Sequence, residues 1–95
     1  MVALKPAPRW RLRAGVLAQF ALPQAVLLDA RSGEYFELNA VGTTIVRALL
    51  QAGTREAAIA ALCAAFTVDA QRAAADVDAF AADLCRRGLL EADDA

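Results

Sequence analysis

The sequence predicts an α+β fold: a winged-helix-like domain in which a three-stranded antiparallel sheet precedes a three-helix bundle. Short apolar runs broken by turn residues occupy the chain as far as Leu38. Beyond them Asn39, Thr54 and Asp69, all capping types, each precede a stretch whose apolar residues recur at helical spacing. The switch from one period to the other falls between Leu27 and Asn39, where a hairpin runs directly into a helix.

Residues 1–9 hold all but one of the prolines and show no sustained period, so they read as a loose arm. From Trp10 apolar and basic residues alternate, as a strand with one wet face requires. Gly15 interrupts this strand, and the apolar run from Val16 to Leu22 carries it on to Pro23, which has no backbone donor with which to continue. Ala25 to Leu28 form the next strand. The segment Asp29 to Gly33 supplies turn chemistry, because Asp and Ser side chains bond nearby backbone and Gly33 accepts a positive φ. In the returning strand, Glu34 to Leu38, alternation sends Phe36 and Leu38 inward and Tyr35 and Glu37 outward.

The first helix should bury Val41, Ile45 and Leu49, with Val46 and Leu50 beside them, and end at Gly53. In the second, Ile59, Leu62, Cys63 and Phe66 form a single apolar stripe. The third runs from about Ala70 to Arg87 with Ala73, Val77, Phe80 and Leu84 inward. Arg86 and Arg87 offset its C-terminal dipole, and Gly88 suits the left-handed position just past the end. Leu89 and Leu90 then fold back to close the core, leaving one domain over residues 10–91 and an acidic tail over 92–95.

With 95 residues and 10.0 kDa there is room for one core only, and alanine supplies much of the 59% hydrophobic content. A net charge of −1 gives no global field to collect nucleic acid or anionic lipid. The basic cluster before Val16 and the acidic end read as solvated ends. No run reaches the roughly 18 apolar residues that span a bilayer, and Met1 to Pro8 lack a signal peptide's apolar centre. A cytoplasmic protein without membrane attachment is therefore expected.

Cys63 and Cys85 lie among apolar residues of different helices and read as reduced core thiols. There is no histidine, which removes the commonest general base and, with no cysteine pair at ligand spacing, any zinc site. Ser32, the only serine, sits in the turn. Carboxylate pairs such as Asp76 with Asp83 or Glu34 with Glu37 read as solvent-facing charges, and no Gly-rich loop stands ready for phosphate. The expectation is a protein that binds rather than catalyses, with no cofactor and no metal.

Several stretches carry a resemblance: Val26 to Asp29, then Gly33 to Asn39 with Gly42 following, then Ile45 and Leu49-Leu50, then Asp76-Val77 with Phe80, and Leu84 with Gly88-Leu89-Leu90. In their order and spacing, over roughly residues 16–90, they resemble the PqqD-like family. These are the recognition elements that serve biosynthesis of ribosomally made, post-translationally modified peptides (RiPPs). Val46 departs from the pattern, since many relatives carry a large aromatic there. The chain is most similar to the free-standing leader-binding proteins of lasso-peptide pathways.

This resemblance implies that a precursor's leader peptide binds as an extra strand on the edge of the third strand, in a groove walled by the third helix. The backbone of Glu34, Tyr35, Phe36 and Glu37 would pair with it, and Tyr35 and Leu27 would supply apolar contact. Ala79 and Phe80 would floor the groove, while Arg72, Asp76 and Asp83 would read charge and register. The implied partners are the leader, a leader-cleaving protease and a cyclase; an exposed edge also invites a homodimer. One alternative is a pyrroloquinoline-quinone-type peptide chaperone for a radical SAM enzyme. Another is a winged-helix DNA-binding regulator, disfavoured because Asp76, Asp78 and Asp83 counter Arg72, Arg86 and Arg87 on the third helix.

Overall fold

The computed structural model describes residues 9–20 and 24–93. The expected arm as far as Pro8, the strand end at Pro23 and the final two residues of the acidic tail lie outside the described residues. The elements are β1 (Arg9–Leu12), β2 (Val16–Phe20), β3 (Ala25–Asp29), β4 (Glu34–Glu37), α1 (Ala40–Gln51), α2 (Arg55–Ala65), α3 (Ala70–Arg86) and β5 (Leu90–Asp93). Strands β2, β3 and β4 form an antiparallel sheet in that order, and the three helices follow it, as the sequence predicts.

The segment before Gly15 does not join that sheet. Gly15 takes a φ of 90°, the chain turns, and β1 pairs instead with β5, Arg9 opposite Asp93 and Leu12 opposite Leu90. Alternation at Trp10 to Arg13 specifies a strand with one wet face but cannot name its partner, which lies at the far end of the chain. Two backbone bonds anchor the segment, Trp10 N–H to Gly53 O at 3.0 Å and Arg13 N–H to Leu89 O at 3.1 Å. The paired strands reach Arg9 and Asp93, slightly beyond the limits read from the sequence. Leu89 and Leu90 do close the core, both almost wholly buried.

All three helices start at their expected caps. Asn39 Oδ1 accepts from Gly42 N–H at 2.7 Å, Thr54 Oγ1 from Ala57 N–H at 3.2 Å, and Asp69 Oδ1 from Arg72 N–H at 2.7 Å. In α1 the core line is Ile45, Val46 and Leu49, with Val41 and Leu50 half-buried. The valine at position 46 is fully enclosed.

Two helical stripes need correction. In α2 the buried line is Ala58 and Leu62, flanked by half-buried Ile59 and Phe66, and Cys63 is exposed. In α3 it is Ala73, Val77, Ala81 and Leu84, so Ala81 rather than Phe80 lies innermost. Cys85 is exposed too, which overturns the reading of both thiols as core residues. Each cysteine directly follows a buried leucine, Leu62 or Leu84, and one step along a helix turns a side chain through about 100°.

Thr43, buried on α1, joins the helix to the sheet. Leu38 N–H donates to Ala25 O at 2.9 Å, and Ala25 N–H donates to Thr43 Oγ1 at 3.0 Å. The hydroxyl passes its own proton toward Leu38 O at 3.4 Å. It thereby stands in for the return bond of the last β3–β4 pair. Replacing it with an isosteric methyl, Thr43→Val, leaves the Ala25 amide buried without an acceptor. Denaturant unfolding is expected to show a loss of about 1–3 kcal/mol with an unchanged m-value.

Candidate functional site

The geometry of β4 follows from its register. In an antiparallel ladder, residues bond to the partner strand in alternation. Because Leu38 bonds Ala25, Phe36 directs its backbone groups toward β3, opposite Leu27; Glu34 lies opposite Asp29, and its N–H donates to Ser32 Oγ in the turn at 3.2 Å. Tyr35 and Glu37 therefore direct theirs away from β3, to an edge with no strand beside it among the described residues.

That edge borders a groove. One part of it, about 260 Å³, is lined by Phe36, Glu37, Leu38, Phe80, Asp83, Leu84 and Arg87. A second part, about 460 Å³, is lined by Asn39, Val41, Gly42, Ile45, Asp76, Ala79, Phe80 and Asp83. Phe80 and Asp83 belong to both parts. The groove thus follows β4 and the start of α1 on one side and α3 on the other, with Phe80 as its apolar centre.

Phe80 holds that place because α1 has no side chain at Gly42. A Cβ built there would meet the ring at Cζ at 2.7 Å and at Cε1 at 3.0 Å. Close approach is what glycine supplies here; the backbone itself is helical. At the other end, the Arg87 guanidinium lies 5.8 Å from the centroid of Phe36, within cation–π range. Its Nε donates to Asp83 Oδ2 at 3.0 Å, and Arg86 Nη2 donates to Asp83 Oδ1 at 2.8 Å. The Arg87 hydrogen bond, with that of Arg86, holds the Asp83 carboxyl below its ordinary value of 3.8, against partial desolvation.

A strut braces the hairpin end. Arg31 donates from Nε and Nη2 to the two oxygens of Asp29, at 2.9 and 3.0 Å, and from Nη2 to Gly88 O at 3.0 Å. It ties the turn before β4 to the end of α3. The same side-chain bond keeps Asp29 ionised below its usual range.

The sequence profile of the family described as coenzyme PQQ synthesis protein D (PqqD) matches residues 24–90. The chain belongs to the PqqD family. Two solved structures of similar chains are both peptide complexes. TbiB1 in complex with the TbiA(beta) leader peptide is 31% identical, with a TM-score of 0.78 over 85% of this chain and 94% of that one. A lasso peptide synthetase B1 complexed with the leader peptide is 30% identical, with a TM-score of 0.79 over 87% of this chain and 98% of that one. No curated protein sequence matches significantly.

The PqqD-like site residues expected from the sequence divide on this geometry. Phe36, Asp76, Ala79, Phe80 and Asp83 meet along the groove, and Glu37 borders it from β4 with its side chain on the outer face of the sheet. Glu34 and Tyr35 are exposed on β4, Tyr35 on the outer face of the sheet. Arg72 is exposed on α3 outside the groove lining, its Nε on Asp76 Oδ1 at 3.2 Å. Leu27 is a correction: it lies on the inward face of the central strand and is 0% exposed, so a peptide at the edge cannot touch it.

Arg87 was legible only as a charge at a helix end, and its stacking on Phe36 depends on a contact between distant segments. Val41, half-buried at the groove, lay hidden within a helical stripe, and Ile45 behind it is fully buried and belongs to the core. The glycine contact yields a direct test. Gly42→Ala gains up to about 1 kcal/mol of helix propensity, which the displacement of the Phe80 ring by the new methyl group offsets, so the melting temperature should change little. The aromatic NMR resonances of Phe80 should nevertheless shift as the ring is displaced; unchanged resonances would show that the ring does not rest on Gly42.

Proposed function

We propose that this protein is a non-catalytic leader-peptide-binding element of a lasso-peptide pathway, working in the cytoplasm. The observation that carries this reading is the free edge at Tyr35 and Glu37, opening onto an apolar groove. Two similar chains of known structure hold leader peptides, which supports the same ligand here. The chemistry needed is strand addition: amides and carbonyls of the edge exchange hydrogen bonds with an extended peptide, and the groove selects side chains. Each such bond contributes a net 0.5–1.5 kcal/mol or so, which leaves most discrimination to the groove.

The bound leader would bring its precursor to a leader-cleaving protease and then a cyclase, raising local concentration without chemistry by the module itself. A second copy pairing at β4 would occupy the same edge, so a homodimer of that kind and a leader complex exclude one another. The family description favours a second reading, a peptide chaperone in pyrroloquinoline-quinone synthesis, and a panel of leaders from both pathways separates the two. A DNA-binding role is disfavoured by the ion pairs that occupy Arg55 and Arg72, with Asp78 and Asp76.

Fluorescence anisotropy with labelled leaders of precursors encoded beside this protein tests the proposal. Saturable binding by one of them is expected. Glu37→Pro removes an edge donor without touching the β3 ladder and should weaken binding more than about tenfold at unchanged thermal stability. Binding that survives this substitution would place the peptide elsewhere.

A further inference from the structure

The outer face of the sheet carries two cross-strand rows that end at the free edge. One is Leu17, Leu28 and Tyr35, paired in register and 60%, 37% and 66% exposed. The other is Gln19, Val26 and Glu37, also in register. The first row is apolar throughout, and the second terminates in an exposed carboxylate with no hydrogen bond or ion pair among the described residues. Both rows stop at the two residues whose backbone groups face the edge. Whatever strand is added at β4 extends both rows.

Resting on the leader-binding reading above, we propose that the outward side chains of the leader are also read, in a fixed order. A basic residue lies opposite Glu37, and an apolar or aromatic residue two positions nearer the leader's C-terminus lies opposite Tyr35. The residue between them points inward, opposite Phe36, toward Phe80. Tyr35 and Glu37 are thus specificity-determining through their side chains as well as their backbone.

The order follows from direction. Every pairing in this sheet is antiparallel, and Tyr35 and Glu37 each offer an N–H and a C=O on the same side, the arrangement in which an antiparallel partner exchanges both bonds with one residue. An antiparallel leader runs from Glu37 toward Tyr35, so its basic residue comes first. Residues directly opposite have Cβ atoms about 5 Å apart, close enough for a Lys or Arg to meet Glu37 and for an apolar side chain to cover Tyr35. Such a cover would continue the row from Leu28.

The experiment crosses two proteins, Glu37→Lys and Tyr35→Ala, with synthetic variants of the leader that binds the unmodified protein. Each peptide position is changed in turn to Lys, Glu or Ala, and affinities are read by anisotropy. One position is expected at which Glu weakens binding to the parent protein and strengthens it to Glu37→Lys, by about two- to fivefold. Two residues toward the C-terminus, replacing an apolar residue by Ala should cost the parent a similar factor and Tyr35→Ala nothing. Tight binding with no charge coupling at any position would overturn the proposal while leaving leader binding intact. Coupling in the reverse order, apolar before basic, would overturn the antiparallel arrangement. If no leader binds the parent protein at all, the underlying reading fails and this proposal falls with it.

Discussion

A strand has two hydrogen-bonding edges, and β4 uses one. The groups of Tyr35 and Glu37 that face away from β3 are held in extended geometry with nothing in the described sheet to meet them. Many edge strands are blunted by a lysine, a proline or a covering loop. Here the edge is short and polar at its ends and opens onto an apolar groove, so it remains available to a foreign strand. The rest of the fold can be understood as what keeps that strand straight and in place.

Two braces do this from opposite ends. At the end of β4, the Thr43 hydroxyl completes the last pair of the ladder and fixes the start of α1 against β3. At its beginning, Arg31 clamps the turn through Asp29 and reaches the carbonyl of Gly88 at the end of α3. The spacing between strand and helix is thereby set by hydrogen bonds at each end, with Phe80 lying against Gly42 between them. A groove defined in this way is preformed, which lowers the ordering cost that a peptide ligand must otherwise meet.

What could be read from the sequence was what depends on near neighbours. The caps at Asn39, Thr54 and Asp69, the turn from Asp29 to Gly33, and the inward placement of Phe36 and Leu38 all follow from local chemistry and short periods. The pairing of β1 with β5 was not legible, because nothing in the alternation at Trp10 names a partner at Leu90. The distinction between Phe80 and Ala81 was equally hidden: both fit a helical stripe, and which of them is fully buried and which lies against Gly42 depends on packing between distant helices. Leu27 was misplaced for the opposite reason. Its neighbourhood matched a family pattern well, yet in a central strand an inward leucine belongs to the core.

The cysteines show how narrow the margin is. Cys63 and Cys85 sit one residue past Leu62 and Leu84, and that single step takes them from the core to the surface. Although Cys85 is exposed, partial desolvation by the surrounding protein pushes its thiol upward, which disfavours the reactive thiolate.

The central claim is that the missing strand of this sheet is supplied by another molecule at Tyr35 and Glu37. Amide hydrogen exchange by NMR, with and without a saturating leader peptide, measures this residue by residue. The Tyr35 and Glu37 amides should exchange rapidly in the free protein and become strongly protected in the complex, while those of Glu34 and Phe36 change far less. Protection confined to another surface, with Tyr35 and Glu37 exchanging as before, would contradict it.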